Sequence, residues 1–262
     1  MSTSLDNPPR RSPPPAGPID KSNDRVQRMF AQIAPRYDLM NHVLSMNVDR
    51  YWRWRTVRIV PPQGDAPILD VCTGTGDLAI AYAKAARRLA RRQGASAAPA
   101  SVIGGDFCRA MLDVAEQKRQ RLAVGDTLSF VEADAQRLPF PDGEFQIVSV
   151  AFGLRNVCDT DAGLREMVRV LRPGGRLAVL EFSMPTRQPL KGLYRWYFRR
   201  VLPKIGERLA RNDRGAYEYL PATVAEFPSG EALCERMRAA GLREATHHPL
   251  TFGIATLYVG VK

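Results

Sequence analysis

The residues Ile68-Leu-Asp-Val-Cys-Thr-Gly-Thr-Gly-Asp77 indicate the architecture of the chain, because they join a strand, a glycine loop and the start of a helix. Residues 68–72 are a short apolar run followed by turn residues, which predicts a strand. The Ala-rich segment from Leu78 to Ala90 predicts a helix. A strand that runs through a glycine loop into a helix is the beginning of a β-α unit.

The same alternation continues along the chain. Strands are predicted at 101–105, 128–132, 145–152 and 176–182, and helices at 110–122 and 163–171. Repeated units of this length predict a parallel sheet with helices on both faces. The last two strands, 245–249 and 254–261, have no helix between them, so the final pair is expected to be antiparallel. The predicted fold is a doubly wound α/β domain with a mostly parallel seven-stranded sheet.

The composition agrees with one domain and a tail. The chain has 262 residues, of which 45% are hydrophobic and 25% charged, as in an ordinary globular protein. Six of its 20 prolines fall within the first 18 residues, so we expect residues 1–22 to be a disordered tail and 23–262 to form the domain. A helix is predicted from Asp24 to Pro35, followed by an aromatic and apolar stretch from Tyr37 to Trp54.

Several classes of protein are disfavoured. No apolar run approaches the roughly 18 residues of a membrane span, and the N-terminus does not resemble a secretory signal, so a cytoplasmic location is expected. The four cysteines show no C-x-x-C spacing, which argues against a disulfide framework or a zinc site. The three histidines are scattered, and no metal is expected.

The glycine loop and three carboxylates predict a nucleoside site. Gly74 and Gly76 would let the backbone approach a ligand, although glycines in this pattern also fit a dinucleotide enzyme. Asp106 ends the second strand, where it could accept bonds from ribose hydroxyls, and Asp134 follows the third, near an adenine amino group. Asp70 could steer the loop or meet a positive group. An adenosine carrying a cation fits this set, which favours S-adenosylmethionine.

Three motifs then narrow the interpretation: Tyr37-Asp-Leu-Met-Asn41 with Ser45 and Trp52, Phe152-Gly-Leu-Arg-Asn156, and 169–183. In this order they resemble the ubiquinone/menaquinone C-methyltransferases of the UbiE type, which are class I S-adenosylmethionine-dependent methyltransferases with a Rossmann-like fold. The similarity covers roughly residues 24–262. The chain departs from the family at Asp49, where a histidine is frequent, and at Ala151, where several members carry a cofactor-contacting serine.

The resemblance implies methylation of a ring carbon on a polyprenylated quinol. It places Thr75, Asp106, Asp134, Ala135 and Ala151 at cofactor-contacting positions. Arg155 and Asn156 follow the fourth strand and are expected to face the reacting end of the cofactor, Arg155 to stabilise a phenolate or position a water and Asn156 to orient the substrate. A loop-fixing salt bridge is the alternative for Arg155. Tyr37 would belong to an N-terminal helical lid, or would simply pack between helices.

The substrate and partners stay open at this point. Demethylmenaquinol is preferred, and a 2-polyprenyl-6-methoxy-benzoquinol is the alternative. Nine basic residues and large aromatics lie between Arg187 and Arg214, which suggests peripheral contact with an anionic membrane, or else a helix that covers the core. A homodimer is also considered.

The net charge of +11 keeps an RNA methyltransferase in view, although no Asn-Pro-Pro-aromatic motif follows the fourth strand and no nucleic-acid partner is expected. Cys158 lacks the preceding proline of a cytosine-methylating nucleophile. The glycine loop also leaves open a nicotinamide oxidoreductase, and a non-enzymatic module could bind adenosine through the same residues without turnover.

Overall fold

A computed structural model of the chain describes residues 23–94, 96–122, 124–185, 188, 192 and 223–262. The prediction for residues 1–22 lies outside the described residues, as does nearly all of the basic stretch 187–214.

From residue 23 onward, where the description of the chain begins, three helices precede the sheet, namely α1 (Asn23–Ile33), α2 (Tyr37–Leu44) and α3 (Val48–Ile59). A single 3-10 turn at Ala34–Arg36 separates the first two, and it contains Pro35, which disfavours a helical conformation in the residue before it. Trp52 of α3 is buried, and its indole packs near the rings of Phe152 and Phe182. Helix α3 therefore packs on the sheet near the fourth and fifth strands, whereas α1 packs on the later helix Arg109–Arg121.

The sheet has seven strands in the order β3-β2-β1-β4-β5-β7-β6. They are β1 (Ile68–Val71), β2 (Val102–Asp106), β3 (Leu128–Glu132), β4 (Phe145–Ala151), β5 (Leu171–Phe182), β6 (Glu244–Leu250) and β7 (Ala255–Val261). Strands β1 to β5 pair in parallel, and β7 is antiparallel to both of its neighbours. The prediction of a mostly parallel seven-stranded sheet with an antiparallel end is confirmed.

Within the described residues, further helices are α4 (Asp77–Gln93), α5 (Arg109–Arg121), α6 (Thr160–Val170) and α7 (Glu231–Ala239). Helix α7 was not predicted from the sequence, although Leu233, Cys234 and Met237 repeat at helical spacing and are buried. The predicted β5 also began too late. The strand starts at Leu171 and runs through Gly175. A larger residue would not fit there, because a Cβ at position 175 would lie 2.8 Å from the backbone oxygen of Arg172.

The core lies on both faces of the sheet. Side chains alternate along each strand, so Leu69 and Val71 face one apolar cluster while Ile68 faces the other. All four residues of β1 are buried, as expected for a central parallel strand. Among the described residues, no helix is long and apolar enough to cross a bilayer.

Candidate active site

The strand order reverses between β1 and β4, and open α/β sheets bind ligands at such a point. The residues that follow these strands, Cys72 and Phe152, have positive φ angles of 51° and 57°, so both loops turn sharply. Gly153 lies against the first loop, and a Cβ at this position would come 2.4 Å from the Cβ of Cys72. The two loops are in contact at this point, and therefore only glycine fits at position 153.

A cleft of about 620 Å³, open to solvent, lies at this contact. Apolar side chains form part of its wall, among them Phe30, Phe107 and Met111. Of the residues that the sequence predicted for cofactor binding or catalysis, the wall contains Tyr37, Gly74, Asp106, Asp134, Ala135, Ala151 and Asn156. The others, Asp70, Thr75, Gly76 and Arg155, do not line the cleft.

Asp106 joins the end of β2 to the glycine loop. Its Oδ2 accepts a hydrogen bond from the N–H of Gly74 at 2.8 Å, and its Oδ1 accepts one from the N–H of Cys108 at 2.9 Å. Burial raises the pKa of Asp106 to about 6, although these backbone hydrogen bonds oppose the shift. Each carboxylate oxygen keeps a second acceptor position, so Asp106 can also bind a ligand hydroxyl.

Asp134 is the second carboxylate of the cleft, and it follows β3. Its Oδ1 accepts hydrogen bonds from the backbone N–H of Gln136 at 2.9 Å and from the side-chain amide of Gln136 at 3.2 Å. The side chain is half-buried and lines the cleft beside Ala135. Gln136 therefore fixes the direction in which the carboxylate meets a ligand.

Asp70 shapes the glycine loop from behind. It is buried, and its two oxygens accept hydrogen bonds from the hydroxyls of Ser149 at 2.6 Å and Thr73 at 2.7 Å. Burial raises the pKa of Asp70 to about 6, because these hydrogen bonds offset only part of the desolvation cost. Of the two roles that the sequence suggested, this geometry matches loop steering.

Thr75 and Gly76 also serve the loop itself. The hydroxyl of Thr75 donates to Asp38 of α2 at 2.5 Å, which ties the loop to the N-terminal helices. Gly76 has a φ of 82°, and a Cβ there would lie 2.7 Å from the ring of Phe130. The chain can therefore enter α4 beside Phe130 only with glycine at this position.

A chain of ion pairs extends from this loop to α2 and α3. Lys118 of α5 binds Asp38 at 2.7 Å and also Asp77, while Arg53 of α3 binds Asp77 at 2.8 Å and Asp49 at 2.6 Å. We call these five residues the lid network. Burial opposes the ionisation of Asp77, but Arg53 and Lys118 together hold its pKa below the usual value.

The lid network continues at Asp49, where the sequence departs from the frequent histidine. The Oδ2 of Asp49 lies 2.8 Å from Nδ1 of His42, and its Oδ1 accepts a hydrogen bond from Ser45 at 2.6 Å. This network was not predicted from the sequence. A signal was present in the clustering of Asp38, His42 and Asp49 near the N-terminus, but their partners lie on other elements.

Two protonated side chains face the cleft. Burial raises the pKa of Tyr37, and a hydrogen bond with Asn41 opposes the shift. Burial also raises the pKa of the Cys72 thiol well above its usual value, and the negative charges of Asp106 and Asp70 add to this effect. The ring of Tyr37 packs edge-on against Phe30 with centroids 6.0 Å apart, so Tyr37 both packs between helices and lines the cleft.

Arg155 occupies a buried ion pair. Its Nη1 lies 2.8 Å from Oε2 of Glu181, its backbone N–H donates to Oε1 at 3.2 Å, and Nη1 also donates to the carbonyl of Phe152. The guanidinium lies 5.4 Å from the centroid of the Phe182 ring. Sequence reasoning expected Arg155 to face the reacting end of the cofactor, but the geometry matches the alternative, a salt bridge that fixes the loop.

Asn156, the next residue, lines the cleft. Its Nδ2 lies 3.4 Å from the carbonyl oxygen of Phe152, and its Oδ1 is buried without a hydrogen-bond partner among the described residues. A buried carbonyl oxygen without a donor is unfavourable, so a ligand that supplies a donor would gain from binding here.

The wall of the cleft fits a nucleoside that carries a positive charge. Asp106 and Asp134 offer acceptors from neighbouring strands to hydroxyls and an amino group, and apolar rings offer faces for stacking. Among the described residues, no arginine or lysine lines the cleft, so a pyrophosphate would find no counter-charge there. The residues present therefore fit S-adenosylmethionine better than a dinucleotide.

Comparisons with known proteins agree with this geometry. The model of the ubiE/COQ5 methyltransferase family matches residues 19–262. The chain is 45% identical over 249 residues to the demethylmenaquinone methyltransferase of Deinococcus radiodurans, covering 95% of this chain and 97% of that protein. It is 41% identical over 244 residues to the ubiquinone/menaquinone biosynthesis C-methyltransferase UbiE of Geobacter sulfurreducens, covering 93% and 91%. A solved SAM-dependent methyltransferase of Thermotoga maritima shares the fold, with a TM-score of 0.60, 18% identity and coverage of 90% and 99%.

Proposed function

We propose that this chain, which belongs to the ubiE/COQ5 methyltransferase family, methylates a ring carbon of demethylmenaquinol with S-adenosylmethionine. The observation that carries the proposal is the 45% identity, along 95% of the chain, to a protein named demethylmenaquinone methyltransferase. The cleft supports it independently, because its carboxylates and apolar walls fit a charged nucleoside beside an aromatic ring.

S-adenosylmethionine would supply a methyl group on a positively charged sulfur. Asp106 and Asp134 would hold the nucleoside by its hydroxyls and amino group, and Gly74 would leave the backbone free to approach it. Phe30 and Phe107 would exclude water from the reacting atoms, which preserves alignment and strengthens electrostatic interactions.

We assign the binding of the substrate hydroxyl to the side chain of Asn156. Its Oδ1 has no partner among the described residues and would accept a hydrogen bond from the quinol O–H, which increases the electron density of the ring. The new carbon–carbon bond would replace the methyl–sulfur bond that S-adenosylmethionine supplies, and the proton that the ring carbon loses would pass to solvent through the open side of the cleft. Arg155, paired with Glu181, would act as a positioning residue that holds the loop of Asn156 in place.

The test supplies the purified full chain with S-adenosylmethionine and either demethylmenaquinol or a 2-polyprenyl-6-methoxy-benzoquinol. We expect S-adenosylhomocysteine and a naphthoquinol heavier than the substrate by one methylene. Asn156→Ala should lower kcat at least about tenfold while cofactor affinity stays near that of the wild type. If only the benzoquinol is methylated, it is the substrate in place of demethylmenaquinol. If calorimetry detects no binding of S-adenosylmethionine, the whole proposal is wrong.

We also propose that α3 and its flanks contact an anionic bilayer, where a polyprenylated quinol resides. Tyr51, Trp54 and Met46 are exposed, and the rings of Tyr51 and Trp54 lie 5.9 Å apart. Arg58 lies over the ring of Trp54, and Arg50 is exposed on the same helix. Exposed aromatic side chains beside arginines are typical of proteins that bind the headgroup region of anionic membranes.

Sedimentation with vesicles tests this surface. Wild-type protein should bind anionic vesicles more strongly than neutral ones, and Tyr51→Ser with Trp54→Ser should bind at least about fivefold more weakly without loss of methylation of a short-chain quinol. Equal binding by wild type and variant would move any contact to another part of the chain, such as residues 187–214. A concentration-dependent dimer that the variant abolishes would assign the surface to a second copy instead.

A further inference from the structure

A second cluster of ligand-type side chains lies far from the cleft. Glu231 and Cys234 lie three residues apart on α7 and therefore on one face of that helix, and β6 brings His247 next to them. Nδ1 of His247 lies 3.8 Å from Sγ of Cys234 and 4.0 Å from Oε2 of Glu231. All three ligand atoms lie within 4.8 Å of one another.

We propose that Glu231, Cys234 and His247 bind one zinc ion, with water as the fourth ligand. Thiolate, imidazole and carboxylate together are the donor set that zinc accepts in proteins. Tetrahedral zinc, with bonds of about 2.3 Å to sulfur and about 2.1 Å to nitrogen and oxygen, separates its ligand atoms by about 3.4–3.6 Å. The Nδ1–Sγ distance of 3.8 Å exceeds the tetrahedral value by about 0.2 Å and the Nδ1–Oε2 distance of 4.0 Å by about 0.6 Å, so side-chain rotations would bring the three ligands onto one ion.

Neighbouring side chains orient the ligands of this site. Arg238 binds Oε1 of Glu231 and donates to the backbone carbonyl of Ala245 at 3.2 Å, which leaves Oε2 directed at His247. Such outer contacts orient a metal ligand. The ring of His247 lies beside that of Tyr258, with centroids 6.2 Å apart, which further restricts its orientation.

The access to the cluster suits an ion from solution. Cys234 is buried, whereas the side chains of Glu231 and His247 are exposed by 60% and 35%. An ion can therefore enter from solvent and meet the thiolate at the base of the site. By contrast, a second close group in the described part of the chain, His42 with Asp49 and Asp77, already holds the guanidinium of Arg53 between its carboxylates.

The role we infer is structural. The strand order places β6 at the edge of the sheet, three strand spacings, or about 14 Å, from β4, the strand that leads into the cleft. A zinc ion would cross-link α7 to this edge strand and leave the methyl transfer site untouched. Because the ligands come from two elements 13 residues or more apart, the sequence spacing alone did not reveal them.

The experiment titrates zinc into the metal-free full-length protein by calorimetry and cobalt by absorption spectroscopy. We expect one equivalent of zinc, a thiolate-to-cobalt charge-transfer band, and a Tm that rises by about 5–10 °C at a free zinc concentration a hundred times the Kd. His247→Gln and Cys234→Ser should each weaken zinc binding at least about tenfold.

Two matched controls separate this site from adventitious binding. His248→Gln changes the next residue of β6, and Cys158→Ser removes an exposed cysteine elsewhere, so both should bind zinc like the wild type. If Cys234→Ser fails to fold because its thiol is buried, the exposed His247→Gln still decides the question. Wild-type binding by His247→Gln, or no stoichiometric binding by the wild type, would overturn the proposal.

Discussion

The two loops that meet at the cleft are held by buried charges of opposite kinds. The loop after β1 is fixed by carboxylates, Asp70 and Asp106, which accept hydrogen bonds from hydroxyls and backbone N–H groups. The loop after β4 is fixed by a cation, Arg155, which is paired with Glu181. The first loop keeps acceptor positions for a ligand, whereas the second uses its charges internally. The first loop therefore contains residues that can bind a ligand, whereas the charged residues of the second loop hold the shape of that loop.

Breaking the ion pair of the second loop should have the largest effect. Glu181→Gln would leave the guanidinium of Arg155 buried without a counter-charge, which costs about 3–5 kcal/mol of the free energy of unfolding. Denaturant unfolding measures this loss. The double variant Arg155→Met with Glu181→Leu removes both charges and should recover most of the stability. Equal losses in the single and double variants would show that the pair has no such role.

The carboxylates of the first loop should make stability depend on pH. The pKa of Asp70 is about 6 in the folded protein, above its ordinary value of 3.8, so the folded state binds this proton more tightly than the unfolded chain. Its contribution to stability is greatest below pH 4 and falls as the pH rises to about 6. At about 1.4 kcal/mol per pKa unit, the fall is up to about 3 kcal/mol.

Asp70→Asn should remove this part of the pH dependence. Unfolding measured at pH 4 and at pH 7 for both proteins gives the difference, in which the contributions of other groups cancel. A variant whose stability changes with pH as steeply as that of the wild type would exclude Asp70 as the source.

The contact between the two loops can be tested directly. Gly153→Ala would push a methyl group against the Cβ of Cys72, and overpacking of this kind costs about 1–3 kcal/mol. Cys72→Gly removes the opposing atom and tolerates the positive φ of this residue, so the double variant should regain stability. Thermal unfolding of the three variants checks this. Failure of the rescue would mean that the clash is relieved elsewhere.

The smallest effect is expected from the link between the first loop and the lid. Lys118→Met removes ion pairs that are partly exposed to solvent, so the loss should be about 1 kcal/mol and should appear as roughly fivefold weaker cofactor binding by calorimetry. Arg119→Met, which breaks a pair with Glu116 on the surface of the same helix, is the matched control and should leave binding unchanged. If both variants change cofactor affinity equally, the lid network has no role in cofactor binding.

The sequence predicted what depends on local pattern. The strand at Ile68, the glycine loop and the carboxylates that end β2 and β3 were recognisable because hydrophobic runs and turn residues mark strand ends, and parallel strands bring those ends together. The contacts that hold the site in shape could not be predicted from local pattern. Arg155 pairs with a residue 26 positions away, and Lys118 reaches Asp38 across 80 positions, so only the folded chain shows these partners.

The protonation state of the Cys72 thiol decides whether the methyl donor can methylate the protein itself. A methyl donor held in this cleft is an alkylating agent, and a thiolate in the wall would compete with any substrate for it. Burial and the neighbouring carboxylates keep the thiol protonated at neutral pH, and a protonated thiol is a poor nucleophile. The same negative field that favours a sulfonium ligand therefore protects the enzyme from self-modification.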